Sequence, residues 1–198
     1  MDQMWPLEGQ RVSIPDVLLD EDTGKSFTNC RMCHLDLQSP PVPYMVEKVI
    51  RHNKSLNLRE ELFGYAICLE CAEEMKGQIS KESMEVIQEF ISKNVDLQKR
   101  MEAIFFQRDN HVEEVLSNCM LSGQSVEAAE EYQMAALCDG DKMIVGMWPY
   151  VIDSSVIGQL TELLSPETLG NMDDFYGQNF GLPPEWADLF KERPVFWI

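Results

Sequence analysis

Apolar residues along this chain fall into two rhythms, and those rhythms predict its elements. From Ser80, a good helix cap, Met84, Ile87, Ile91, Val95, Met101, Ile104 and Phe105 keep a period near 3.6 with no Gly or Pro among them. A long helix is expected there. Asn110 with Glu113 three places on resembles a capping box, and Val112, Val115, Leu116, Cys119 and Met120 supply one apolar face that ends at Gly123. Met45, Val46, Val49 and Ile50 also sit at helical spacing, predicting a short helix over 44–52. Phe63 to Ile67 reads as a strand running into Cys68, and Glu70 to Lys76 as a helix stopped by Gly77. Tyr132–Cys138 and Lys142–Trp148 flank Asp139-Gly140-Asp141, a good hairpin turn, although the Glu and Ala content of 126–137 keeps helix as the competing reading. Ser154 or Ser155 can cap a helix reaching Leu164, Ser165-Pro166-Glu167 can open another, and Pro183-Pro184-Glu185 a last short one.

The remaining segments are irregular. Residues 1–27 form a lead-in whose run Val17-Leu18-Leu19 packs on the core. Pro40, Pro41 and Pro43 bar a regular helix or central strand at that point. Helices outnumber strands in this reading, so the expected class is α+β, mainly helical. The expected units are a lead-in at 1–27, a metal-binding module at 28–80, connecting helices at 81–123 and a small α+β unit with a β-hairpin at 124–198.

Composition narrows the function. Of 198 residues, 44% are hydrophobic and 25% charged, a globular balance. Acidic side chains outnumber basic ones 34 to 16, and after Cys119 the ratio is 13 to 3. Polyanion binding draws its affinity from Lys and Arg neutralising phosphates, so nucleic acid and anionic membranes are unfavoured partners. No apolar run approaches the ~20 residues that cross a bilayer. Met1 to Glu8 lacks the basic and apolar regions of a secretory signal, so a cytoplasmic protein is expected. In a reducing compartment, six cysteines point to metal ligands or buried thiols over disulfides.

Four of them carry the strongest signal in the chain. Cys30-Arg31-Met32-Cys33 and Cys68-Leu69-Glu70-Cys71 are two C-x2-C pairs, and each pair presents two sulfurs from a tight turn. Thiolates repel one another, so four converge only around a positive charge. Zinc, tetrahedral and sulfur-loving, is the expected ion, held structurally by Cys30, Cys33, Cys68 and Cys71. Competing readings are buried unliganded thiols, a redox-active pair, and haem attachment, since Cys30 to His34 spells C-x2-C-H. The last needs export. His34 is read as a neighbour of the site and not as a ligand.

These residues resemble the treble-clef and zinc-ribbon group of small zinc modules. Cys30-Arg31-Met32-Cys33 looks like the knuckle, and Tyr65-Ala66-Ile67-Cys68-Leu69-Glu70-Cys71 like the strand-to-helix half; the resemblance covers residues 28–78. It implies a closed structural site and no reaction. Cys119-Met120-Leu121-Ser122-Gly123 has the outline of a further knuckle with serine in place of a second cysteine, and Ala136-Leu137-Cys138 echoes Ala66-Ile67-Cys68. Residues 117–150 are thus either a degenerate copy of the module or a segment with two plain core thiols.

No Gly-rich phosphate loop, H-E-x-x-H or G-x-S-x-G occurs, and His34, His52 and His111 do not cluster in sequence. Glu73-Glu74 and Asp173-Asp174 read as solvated surface. The expected function is a non-enzymatic zinc-binding module that engages another protein. The apolar tail Pro194-Val195-Phe196-Trp197-Ile198 is expected to dock on its own domain or on a second copy as a homo-oligomer contact. A thiol-based redox sensor, and an enzyme with its active site in the C-terminal half, are the alternatives.

Overall fold

A computed structural model describes residues 9–56, 58–96, 98, 100 and 111–179. Its centre is a six-stranded antiparallel sheet, and this overturns the expectation of a mainly helical protein, although the class is α+β. The strands are β1 (Gln10–Ser13), β2 (Pro43–Asn53), β3 (Leu58–Cys68), β4 (Glu131–Asp139), β5 (Lys142–Val145) and β6 (Tyr150–Asp153). Their order is β1-β5-β4-β2-β3, with β6 also paired to β4. Five α-helices stand among the described residues: α1 (Leu69–Lys76), α2 (Lys81–Asn94), α3 (His111–Leu116), α4 (Ser154–Leu163) and α5 (Pro166–Asn179).

The misread element is β2. Tyr44 to Ile50 are all buried, so both faces of the strand are covered. A strand covered on one face alternates apolar and polar residues, whereas one covered on both loses that signature. Met45, Val46, Val49 and Ile50 then satisfy a helical template equally well. The same burial of both faces explains the ambiguity at β4, where Glu131 to Cys138 are all buried. There the hairpin reading holds: Asp139 pairs with Lys142 across a turn with Gly140 at φ 58°. A left-handed φ is one that glycine adopts without penalty.

The lead-in is not wholly irregular. Residues Gln10–Ser13 add β1 to the edge of β5, and Arg11 bonds Asp139 at 2.9 Å. Of the run expected to pack on the core, Leu18, in a 3-10 turn over Asp16–Leu18, is buried and Leu19 packs against the core, whereas Val17 is exposed. Buried Lys48 pairs with half-buried Glu61, its Nζ lying 2.5 Å from the carboxylate. The helix predicted from Ser80 forms as far as Asn94, capped by Ser80 through the Ser83 amide. Val95 is extended, so the unbroken helix expected through Phe105 is interrupted there; residues 101–110, the opening helix at 183–185 and the tail at 194–198 lie outside the described residues. The helix predicted to reach Met120 stops at Leu116.

A hydroxyl network ties α2 to α5. The Ser80 amide donates to Thr168 Oγ1 and the Ser165 amide to Ser83 Oγ, each at 2.9 Å. Ser83 and Thr168 are fully buried, so these bonds form where water does not compete for them.

Candidate metal centre

Three elements bring the four cysteines together. The first is a loop over Thr28–Leu37, closed by Cys30 N–H to Leu35 O (2.9 Å), His34 N–H to Cys30 O (3.0 Å) and Leu37 N–H to Thr28 O (2.8 Å). His34 takes a left-handed φ of 61° to close it, a backbone role, and its side chain is exposed. The second is the end of β3, to which the loop is bound by Arg31 N–H to Ala66 O at 2.8 Å. The third is α1, for which Cys68 is the N-cap and Cys71 lies in the first turn. Knuckle, hairpin of β2 and β3, and helix thus follow one another, each contributing sulfur or a brace for it.

The four ligand atoms lie within 4.8 Å of one another, and Cys33 Sγ is 3.7 Å from Cys68 Sγ. Two sulfurs at about 2.3 Å from one tetrahedral ion stand about 3.8 Å apart. A disulfide would need about 2.05 Å. The spacing is that of co-ligands. Cys30, Cys68 and Cys71 are buried and Cys33 is exposed.

Electrostatics favour one thiolate before any cation arrives. Burial pushes the Cys30 thiol up, but amides of Cys33, Cys68 and Met32 aimed at its sulfur outweigh burial and leave it below its ordinary value. The Cys68 amide makes such a contact at 3.4 Å. Burial drives Cys68 up to about 11, and raises Cys71 further, with the neighbouring sulfurs adding to it. The protein therefore concentrates sulfur where negative charge is unfavourable. A divalent cation inverts that balance, because a coordinated thiol gives up its proton.

The other two cysteines lie elsewhere. Cys138 is in β4 opposite Tyr44, fully buried, with its thiol pushed up to about 12 by burial. Cys119 sits in a loop over Ser117–Val126. Its sulfur accepts the amides of Ser122 and Asp153 at 3.4 Å each. Ser122 Oγ donates to Asp153 Oδ2 at 2.5 Å. Burial pushes the Asp153 carboxyl up, but bonds from Ser122, Ser155, Cys119 and the Val156 amide outweigh burial and hold it below the usual carboxylate range. Sequence reading placed the cap of α4 at Ser154 or Ser155, but Asp153 caps it by accepting the Val156 amide, and its part in closing the loop shows only through contacts 31 and 34 residues away.

His52 is buried and both its ring nitrogens lack a partner. Glu73 and Glu74 are exposed. No helix among the described residues is long and apolar enough to cross a membrane. Comparison with protein-family models, curated proteins and solved structures finds no match to this chain.

Proposed function

We propose that Cys30, Cys33, Cys68 and Cys71 hold one structural zinc ion in a treble-clef-like module. The protein is then a non-enzymatic, cytoplasmic interaction module whose partner is another protein. The observation that carries this reading is the four-sulfur cluster within 4.8 Å, with its 3.7 Å pair. Four sulfur ligands complete a tetrahedron and leave no position for water or substrate, whereas catalytic zinc sites keep one open. The ion's work is therefore mechanical: it pins the Thr28–Leu37 loop to β3 and α1, adding to the bond from Arg31 N–H to Ala66 O. The acidic surface suits a partner with basic character.

Protein purified without added metal should carry about one zinc per chain. Cobalt substitution should show sulfur-to-metal charge-transfer absorption, lost on Cys→Ser change at any of the four positions. A metal-free protein that stays folded and takes up no cobalt overturns the reading.

The exposure of Cys33 supports a second reading, a redox sensor. A peroxide would take two electrons from the Cys33 and Cys68 thiolates, forming an S–S bond and leaving as two hydroxides, and the ion would lose two ligands. Retention of zinc under mild peroxide excludes it.

A further inference from the structure

The loop around Cys119 repeats the loop around Cys30 bond for bond. Cys30 N–H to Leu35 O has its counterpart in Cys119 N–H to Gln124 O, and His34 N–H to Cys30 O in Gly123 N–H to Cys119 O. Leu37 N–H to Thr28 O matches Val126 N–H to Ser117 O, and Arg31 N–H to Ala66 O matches Met120 N–H to Val151 O. The isolated bridge Asn29–Asp36 matches Asn118–Ser125. Both loops close through a left-handed residue, His34 at φ 61° and Gly123 at φ 71°.

The likeness runs on through the sheet and helices. Tyr44 pairs with Cys68, and Tyr132 with Asp153; Glu47 pairs with Tyr65, and Ala135 with Tyr150. β2 and β4 pair antiparallel with Glu47 opposite Ala135, as two copies related by a two-fold axis through that point would. Helix α2 begins at Lys81 and helix α5 at Pro166, a displacement of 85 positions that also separates Cys68 from Asp153. The Ser80–Thr168 and Ser165–Ser83 bonds exchange under the same displacement.

On this correspondence Cys30, Cys33, Cys68 and Cys71 map onto Cys119, Ser122, Asp153 and Val156. We infer that residues 117–179 are a second copy of the metal module, in which the Ser122–Asp153 hydrogen bond and the Cys119 sulfur take the place of the ion. Cys68 N–H to Cys30 Sγ at 3.4 Å has its twin in Asp153 N–H to Cys119 Sγ, also 3.4 Å. The close Cys33–Cys68 sulfur pair has its twin in the Ser122–Asp153 bond. A hydroxyl and a carboxylate attract directly, where two thiolates need a cation between them. Val156, buried, closes the fourth corner without polar atoms. The inference rests on the zinc reading of the first cluster. It places the second counterpart at Asp153 and leaves Cys138 as a core thiol of β4.

The test restores the ligands. The full chain carrying Ser122→Cys, Asp153→Cys and Val156→Cys should bind one more zinc than the unaltered chain, with cobalt charge-transfer absorption doubled. A folded triple variant with no extra metal overturns the inference. The unaltered chain's own zinc content reports separately on the first site, so the two failures are distinguishable. Should the triple variant not fold, hydrogen exchange on Ser122→Ala decides. Amides of Met120 and Gly123 should exchange about fivefold faster, while those of Arg31 and His34 keep their rates. Unchanged protection at Met120 overturns it.

Discussion

The loops at Thr28–Leu37 and Ser117–Val126 share one backbone and differ in what holds them shut. In the first, three of four sulfurs are buried, burial pushes Cys68 up to about 11, and attraction among the side chains is weak. In the second, Ser122 donates to an Asp153 carboxylate that also caps α4 through the Val156 amide at 3.1 Å. On the zinc reading, one loop depends on something added, whereas the other carries its own closure. The same chain path is thus compatible with a metal centre or with a hydrogen-bonded one, and side-chain chemistry at three positions decides which.

That contrast breaks most visibly at the first loop. Structural zinc contributes roughly 10–16 kcal/mol in small folding units, against about 5–15 kcal/mol for the stability of a whole domain. Cys71→Ser, or a strong chelator, should therefore unfold residues 28–76 while protection at Met120 and Gly123 survives longer. Hydrogen exchange followed by mass spectrometry separates the two; simultaneous loss at both loops would show that they do not fold independently.

The next effect is at the sheet's middle, where the halves differ as Glu47 and Ala135. Burial raises the Glu47 carboxyl to about 8, with the Tyr65 hydroxyl bond at 2.7 Å opposing it. Folded Glu47 keeps its proton up to that pH, whereas the unfolded chain releases it near 4.5. Folding takes up a proton in that window, so stability falls as pH rises through it. Glu47→Gln removes this slope and should stabilise the protein above pH 8 by on the order of 3 kcal/mol, read from urea unfolding at pH 5 and pH 9.

Asp153→Ala removes a helix cap and the closure of the second loop together, at about 2 kcal/mol. Because the folded carboxyl lies below the usual range, its contribution is present above the ordinary value of 3.8 and is lost as pH falls through the folded value. The wild-type advantage over Asp153→Ala should thus shrink in acid. Ser122→Ala is the smallest change, about 1 kcal/mol, and should leave zinc content untouched.

Two C-x2-C pairs announced the four-cysteine cluster because thiolate ligation is a local constraint, with two sulfurs per turn and each turn legible over four residues. Ser80 as a cap and Asp139-Gly140 as a hairpin turn were readable for the same reason: capping and left-handed turns act within a few residues. The helix expected over 44–52 and found as β2 shows the opposite case. Its periodicity was compatible with two elements, and pairing with both β3 and β4 selected the strand. The short helix predicted from Asn110 to Met120 likewise ignored the bonds that tie the 117–126 knuckle to the sheet, from Met120 to Val151 and from Asp153 to Cys119.

The chain alone determined that four sulfurs should converge and roughly where helices begin, since both follow from neighbours in sequence. Only the tertiary structure decided that β2 and β4 lie side by side, that Ser122 meets Asp153, and that two dissimilar sequences trace one path. Those choices depend on burial and on hydrogen bonds between residues 31 or more positions apart, and no local pattern encodes them.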